Sequence, residues 1–241
     1  MTDFKRARNP EAKEVRKLSI LDAATRLFQE NPVALPTTSQ ISKACDISKG
    51  ALYLYFKTKE EIFLAIVEND LLAWLALFNT QFLEKQQPKV DASTLNAMLD
   101  KVCSYANEHP TFMHLASMSS NTIEPNVDAE ILLVHKNKVG SKISQLAQST
   151  SEALPMLTSA QVASLIIRSY STLLGLWQVS GPIEHVKKVQ QTSDLHIFTP
   201  DFNATSKDML KQLWLSEINS SKQDKGGIFG RLFSSNSKWS G

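Results

Sequence analysis

The most constraining feature of this sequence is a pair of short helix signals at residues 37–56, separated by only a brief turn. Thr37 and Gln40 have the spacing of a capping box, in which the two residues exchange side-chain to backbone hydrogen bonds, so they predict the start of a short helix. Asp46 lies in the turn, and Ser48 can cap a second short helix that carries KGALYLYF. Two short helices joined by about three residues predict a helix-turn-helix.

Helical patterns lie on both sides of this motif. Apolar residues over 20–28 recur at the spacing of one helix face and predict an amphipathic helix before it. Thr58 and Glu61 are spaced as another capping box and open a long helix after it. Further helices are predicted near residues 93–108, 110–120, 126–153, 158–180 and 204–220, with Pro110 at a first helical position and Asn126 and Thr158 as N-caps.

Composition agrees with a helical globular protein. The chain has 241 residues, 42% of them hydrophobic, but only 8 Gly and 9 Pro, which favours helices with a sizeable core over a turn-rich β architecture. We predict an all-α fold with an N-terminal three-helix domain at 1–57, a helical body at 58–221 and a flexible tail at 222–241. No apolar run approaches the roughly 18 residues of a membrane span. The basic N-terminus precedes no apolar stretch, so we expect a cytoplasmic protein.

Charge is distributed unevenly along the chain. The net charge is only +2, but residues 1–61 hold eleven Lys or Arg against eight Asp or Glu, a balance of +3. Residues 43–59 hold four lysines and one acidic residue. A local basic surface on a nearly neutral body is typical of a DNA-contacting end, although an ordinary solvated face would give the same balance.

Side chains of the helix-turn-helix are suited to duplex DNA. The second helix of such a motif enters the major groove with its N-terminal residues nearest the base edges. There Lys49 can donate to guanine, the Ala51 methyl can contact thymine, and Gly50 permits close backbone approach. Hydroxyls and helix N-terminal amides suit phosphate oxygens, whereas Tyr55 could equally be a core residue. The candidate DNA contacts are Thr37, Thr38, Ser39, Ser48, Lys49, Gly50, Ala51, Tyr53, Tyr55 and Lys59.

A family resemblance covers about the first 65 residues. Its residues are Ile20-Leu21-x-Ala23-Ala24-x-x-Leu27-Phe28, Thr37-Thr38-x-x-Ile41-Ser42 and Ile47-Ser48-Lys49-Gly50-x-Leu52-Tyr53-x-Tyr55-Phe56-x-x-Lys59-Glu60. In order and spacing they resemble the signature of the TetR family of transcriptional regulators. The resemblance implies a three-helix DNA-binding domain, a long fourth helix, and DNA contacts at the matching positions Thr38, Ser39, Lys49, Gly50, Ala51, Tyr53, Tyr55 and Lys59.

The sequence departs from the family pattern at two places. The turn usually reads Ala-Gly, where this chain has Cys45 and Asp46. Because aspartate tolerates left-handed backbone geometry better than most residues, we expect the turn to survive. Ala51 occupies a position that is often threonine, so one hydrogen-bonding contact is absent. We also expect Ala44 to let the two short helices approach closely.

The resemblance implies a homodimer that binds palindromic double-stranded DNA. The family usually pairs its last two long helices, here the helices near 158–180 and 204–220, into a four-helix bundle. A dimer places two recognition helices in successive major grooves, and an effector can change the separation of the two DNA-binding heads. An aromatic and Met-rich lining suits a small, largely apolar ligand, although the same residues could be plain core. The pocket candidates are Trp74, Phe78, Tyr105, Phe112, Met113, His114, Met118, Tyr170 and Trp177.

The function that follows is a sequence-specific transcriptional regulator, a repressor released from its operator by that ligand. The alternative is a DNA-binding or adaptor protein whose body only dimerises or binds a protein. No phosphate loop, nucleophile elbow or H-E-x-x-H motif occurs, so we expect no catalytic residues and no enzyme. The five histidines and two cysteines lack ligand spacing, so no metal or cofactor is expected.

The end of the chain leaves one further alternative open. Residues 222–241 are rich in Gly, Ser and Lys, which is typical of a flexible tail. If residues 227–234 became helical, Ile228, Phe229, Leu232 and Phe233 would share one face, which could bind a membrane surface or a partner.

Overall fold

Helices are the only regular elements in residues 10–84, 92–180, 188 and 200–226, which are the residues described by the computed structural model. The helices are α1 (Pro10–Glu30), α2 (Thr38–Ala44), α3 (Lys49–Leu52), α4 (Lys59–Glu84), α5 (Ala92–Glu108), α6 (Pro110–Met118), α7 (Ala129–Ala153), α8 (Ser159–Val179) and α9 (Phe202–Gly226). A π turn at Ser119–Ile123 and a 3-10 turn at Glu124–Asn126 connect α6 to α7. The prediction of an all-α fold is confirmed.

The local signals that predicted the helix-turn-helix act as expected. Thr37 caps α2, and both hydrogen bonds of the capping box with Gln40 are formed. The Ser48 hydroxyl accepts a hydrogen bond from the Ala51 amide at the start of α3. Asp46 has φ 52°, the left-handed backbone that a tight turn between two helices demands. Since aspartate tolerates this conformation, the turn forms without the glycine that is usual there.

The chain divides into two compact units. The first contains residues 10–72 and 109–139 of the described chain. Its core is one cluster of buried side chains, which includes Ile41 and Leu52 of the two short helices. Phe28 and Phe63 also lie in it, with ring centroids 5.9 Å apart. Each such side chain contributes about 1.5–3 kcal/mol when fully buried. This shared core sets the angle between α2 and α3.

The expected role of Ala44 in this packing is wrong. Ala44 is exposed, whereas Ser42 is buried and donates a hydrogen bond from its hydroxyl to the Ser39 carbonyl. The buried face of α2 therefore consists of Ile41 and Ser42. A serine can be buried there because the local carbonyl satisfies its hydroxyl.

The second unit contains residues 73–84, 92–108, 140–180, 188 and 200–226 of the described chain. Helix α9 packs against α5 and α8. The buried Trp214 donates its indole N–H to the Ser169 hydroxyl at 3.0 Å, and that hydroxyl donates to the Leu165 carbonyl. Gln161, the partner of Thr158 in the α8 capping box, also donates to Glu217. Polar contacts of this kind fix how α8 and α9 lie against each other.

Several helix boundaries differ from the predictions. Helix α3 ends at Leu52 and does not extend over the whole of the predicted segment KGALYLYF. Asn126 does not cap α7; it ends the 3-10 turn, and the Asp128 carboxylate accepts a hydrogen bond from the Glu130 amide in the first turn of α7. Helix α9 runs from Phe202 to Gly226, beyond the predicted end at 220. The predicted amphipathic segment at 227–234 lies outside the described residues. The domain boundaries at 57 and 221 stay predictions.

Candidate DNA-binding site

The N-terminal end of α3 is exposed, as a recognition helix requires. Lys49 and Gly50 are exposed, and Ala51 is half-buried beside them. Leu52 is fully buried and anchors the opposite side of the helix in the core. Because α3 is anchored through one face only, its first turn is presented outward with fixed orientation.

Tyr53 continues the exposed side of α3. Its amide donates to the Lys49 carbonyl at 3.0 Å, so the two side chains lie one helical turn apart. The Tyr53 side chain is half exposed, and its hydroxyl lies 3.5 Å from the Thr38 hydroxyl at the start of α2. This distance is at the long end of the hydrogen-bond range. The contact brings together hydroxyls from both helices of the motif.

The start of α4 adds further polar groups to the same unit. The Glu61 amide donates to the Thr58 hydroxyl, as the predicted capping box requires. The other half of the box differs, because the Glu61 carboxylate accepts a hydrogen bond from the Lys57 amide at 2.7 Å. This bond fixes the exposed Lys57 in the loop before α4, whose first residue is the half-buried Lys59.

Three exposed lysines of the helix-turn-helix and the loop after it have no acidic partner in the described part of the chain. Among the described residues, none of Lys43, Lys49 and Lys57 forms an ion pair, and all three are exposed. Lys59 lies 3.9 Å from Glu60, and its side chain is about one third exposed. Ammonium groups without a fixed carboxylate partner are free to bind phosphate oxygens.

The other predicted DNA contacts differ in how far their side chains are exposed. Thr37, Ser39 and Ser48 are exposed, but the hydroxyls of Thr37 and Ser48 are already engaged in capping their helices. Tyr55 is half-buried and packs against the core cluster of the first unit. The structure therefore places the ten predicted residues in one unit, with Lys49, Gly50 and Tyr53 the most accessible near the start of α3.

Burial raises the pKa of the Cys45 thiol, while the charges of Arg16 and Arg26 lower it by less. The Cys45 sulfur lies 3.8 Å from the Ser19 carbonyl, and the side chain is buried. A thiol held in its neutral form is a poor nucleophile. Cys45 therefore acts as a small apolar residue at the end of α2.

The predicted pocket residues fall into both units. Trp74, Phe78 and Trp177 are buried in the second unit, and Phe112 and Met113 in the first. Tyr105, His114, Met118 and Tyr170 are half-buried. The indole N–H of Trp74 donates to the Val102 carbonyl at 3.1 Å, and its ring meets Phe78 edge-on at 5.0 Å. The pocket stays a prediction.

One polar cluster of the first unit was not predicted from the sequence. The Glu68 carboxylate accepts a hydrogen bond from Lys138 and is 2.8 Å from Nδ1 of the buried His135. Glu68 belongs to α4, and its two partners belong to α7. Because these residues lie far apart in sequence, no local spacing signals their contact.

A short, exposed helix held by its partner across a tight turn defines a helix-turn-helix protein. Comparison with known families shows which family of helix-turn-helix proteins this is. The chain belongs to the TetR family. The family model for bacterial regulatory proteins of the tetR family matches residues 20–66. The model for the tetracyclin repressor-like C-terminal domain matches residues 68–215, more than half of the chain. Members of this family are transcriptional regulators, typically DNA-binding repressors.

Curated relatives match over short segments. The chain is 32% identical over 84 residues to nucleoid occlusion factor SlmA of Actinobacillus pleuropneumoniae serotype 5b, covering 35% of this chain and 40% of that protein. It is 43% identical over 58 residues to the HTH-type transcriptional regulator QacR of Staphylococcus aureus, covering 24% and 31%. The matched segments thus span two fifths or less of the length of these relatives.

Solved structures match over most of the chain. A TetR-family transcription regulator from Shewanella sp. PV-4 has a TM-score of 0.52 at 14% identity, covering 82% of this chain and 96% of that one. One from Streptomyces coelicolor has a TM-score of 0.51 at 16% identity, covering 84% and 99%. Likeness at these identities shows the fold alone. In the described part of the chain, no helix has both the length and the apolar character needed to cross a bilayer.

Proposed function

We propose that this protein is a transcriptional repressor that binds a palindromic operator as a homodimer and is released by a small, largely apolar ligand. The observation that carries the DNA-binding part is the outward presentation of Lys49, Gly50 and Tyr53 by a helix whose other side is buried at Leu52. A helix held in this way can enter the major groove without unfolding any core contact.

Each exposed group has a distinct role in this proposal. Lys49 donates to guanine O6 or N7, which supplies base readout. Gly50 allows the backbone to approach the groove, and the methyl of Ala51 contacts a thymine methyl. The hydroxyls of Thr38, Ser39 and Tyr53, together with the ammonium group of Lys59, bind phosphates and set the register. Tyr55 and the capping residues Thr37 and Ser48 chiefly position this surface.

The dimer is proposed to form through α8 and α9. Ile167, Ser171 and Gly175 recur every four residues along one exposed face of α8, and a Cβ built at Gly175 would meet nothing within 4 Å. Met209 is an exposed apolar residue on α9. Small residues on an exposed helix face permit a second helix to approach closely, and two helices from each protomer complete a four-helix bundle.

The aromatic packing of the second unit favours an alternative to ligand sensing. Phe78 stacks on Trp214 at 5.9 Å with an interplanar angle of 22°, and Trp74 lies 5.7 Å from Tyr170. Rings that already fill one another's surfaces favour a body that dimerises or binds a protein and senses no small molecule. A ligand that binds the folded protein would raise its melting temperature. It would release DNA only by binding the DNA-free conformation more tightly than the DNA-bound one.

The function is tested with the full chain and DNA from the region upstream of its own coding sequence, against a scrambled duplex, over a salt series. Lys49→Ala should weaken operator binding by about tenfold or more and relax base preference at one position, since such contacts are worth about 1–3 kcal/mol. Tyr53→Phe should weaken binding without altering base preference. Lys101→Ala, an exposed lysine of α5, is the control and should bind like the wild type.

The proposal fails if the wild type binds neither duplex at about 50 mM salt, where phosphate contacts are strong. It also fails if Lys49→Ala binds like Lys101→Ala.

A further inference from the structure

The first half of α1 extends beyond the core of its unit. Every residue from Pro10 to Ser19 is exposed except the half-buried Lys17, and the first buried residue of α1 is Ile20. At 1.5 Å per residue, this projecting segment, residues 10–19, is about 15 Å long. A helix of this length gains little stability by itself in water. Its surface is therefore available to a partner.

The basic surplus of the N-terminal end comes from this segment and the residues just before it. Residues 4–19 hold six basic and two acidic side chains, a balance of +4, more than the +2 of the whole chain. Residues 20–61, which contain the helix-turn-helix, hold five basic and five acidic side chains and have no net charge. Most of the net positive charge of residues 1–61 therefore lies before residue 20, in addition to the lysines at residues 43–59. The six basic residues are Lys5, Arg6, Arg8, Lys13, Arg16 and Lys17.

The C-terminal end of the projecting segment lies beside the helix-turn-helix. The Lys17 ammonium group lies 5.8 Å from the ring centroid of Phe56, which follows α3. The Ser19 carbonyl contacts the sulfur of Cys45, the residue that ends α2. The segment is therefore held against the same two short helices that carry the surface proposed to bind the operator.

The cations of the segment form no ion pair with the residues that the structure describes. Among the residues that the structure describes, none of Lys13, Arg16 and Lys17 forms an ion pair. Val15 and Leu18 are its only large exposed apolar side chains. Two apolar side chains among so many cations favour a phosphate backbone over the apolar interior of a lipid surface.

We propose that the projecting segment is a second DNA contact, which binds backbone phosphates of the duplex that flanks the half-site read by α3. The proposal rests on the DNA binding proposed above and extends it outward from the operator. Lys13, Arg16 and Lys17 supply the contacts of the segment. These contacts carry no base preference, because phosphates are the same in every sequence.

The test uses the full chain with Lys13, Arg16 and Lys17 all changed to Gln. The matched control changes Lys101, Lys142 and Lys211 of the body to Gln and so removes the same charge. A second variant changes only Lys13 and Arg16, which preserves the contact between Lys17 and Phe56. Binding is measured over a salt series on two duplexes, a minimal operator and the same operator with about eight flanking base pairs on each side. Circular dichroism melting verifies that each variant is folded.

The expected result is specific to the long duplex. On that duplex, the slope of the logarithm of the association constant against log salt should become shallower by about 0.9 for each phosphate that is no longer neutralised. Preference for the operator sequence should be unchanged. On the minimal duplex the N-terminal variants and the wild type should bind alike, since the flanking phosphates are missing. The body control should match the wild type on both.

Equal slopes for the double variant, the triple variant and the wild type on the long duplex would overturn the inference while leaving operator binding intact. Failure of the wild type to prefer the operator would instead overturn the proposed function. Vesicles of phosphatidylglycerol and phosphatidylcholine test the lipid alternative. Cosedimentation that the triple variant loses, with its DNA slope unchanged, would assign the segment to a membrane surface and refute the DNA contact.

Discussion

Gly50 is a residue that the proposed DNA contact requires but the fold does not. A Cβ at this position would meet only the Ser48 hydroxyl, at 3.9 Å, which is ordinary van der Waals contact. The fold therefore does not need glycine here, and helix propensity favours alanine by up to about 1 kcal/mol. A methyl group at the exposed start of α3 would nevertheless project toward the proposed groove.

We predict that Gly50→Ala leaves the free energy of unfolding unchanged or raises it by up to about 1 kcal/mol. Operator binding should weaken about tenfold, which corresponds to about 1.4 kcal/mol. Chemical denaturation and fluorescence anisotropy measure the two effects. Gly140→Ala on α7 is the control, because a Cβ there would meet nothing within 4 Å. If both variants bind DNA like the wild type, the backbone of α3 does not approach DNA closely.

Pairs of helices are held by polar contacts as well as by apolar packing, and the contact of α4 with α7 in the first unit is an example. Burial raises the pKa of Glu68, but hydrogen bonds and charge from Lys138 and His135 outweigh it, so the pKa lies below its ordinary value of 4.5. A lowered folded-state pKa stabilises the protein above the unfolded-state pKa. That stabilisation is lost as the pH falls through the folded-state value.

We predict that Glu68→Gln lowers the free energy of unfolding at pH 7 by about 1–3 kcal/mol, because Lys138 and His135 lose the carboxylate that they contact. The difference between variant and wild type should persist down to about pH 4.5 and shrink as the pH falls further. Urea denaturation at a series of pH values measures this. Glu30→Gln, at the exposed end of α1, should show no such pH-dependent difference. A constant difference between pH 7 and pH 3 would mean that the charge of Glu68 does not stabilise the fold.

At the scale of the whole molecule, the proposed function requires two copies of the chain. A single recognition helix reads few base pairs, whereas two helices about 34–36 Å apart read both halves of a palindrome. The exposed face of α8 is the candidate interface, and Ile167 is its most exposed large apolar side chain apart from Val179.

We predict that Ile167→Glu converts the proposed dimer to a monomer at micromolar concentration, because it would place an unpaired charge in an apolar contact. Operator affinity should fall with it, since the two heads are no longer linked. Sedimentation velocity and DNA binding provide the readouts. Val134→Glu on α7 is the matched control, as Val134 is 67% exposed and Ile167 53%. Monomer formation by Val134→Glu and not by Ile167→Glu would place the interface on α7 instead.

Features that depend on neighbours in sequence could be read from the residues alone. The capping box of α2, the Thr158 cap of α8, the proline that begins α6 and the turn at Asp46 all form as predicted. Each depends on hydrogen bonds or backbone angles within about four residues, which the chain satisfies wherever the segment lies. The family resemblance rests on the same short-range residues, so the all-α fold and the class of protein follow from the sequence by itself.

Only the tertiary structure decided which faces of these helices are buried. It exposed Ala44 and buried Ser42, paired Glu68 with His135, and left the first half of α1 outside the core. These outcomes depend on which distant helix packs against a given face, and periodicity specifies a buried face without specifying its partner. The balance of charge between residues 4–19 and 20–61 was present in the sequence throughout. It became informative only because the fold leaves residues 10–19 almost wholly exposed, so that their cations remain available to a polyanion.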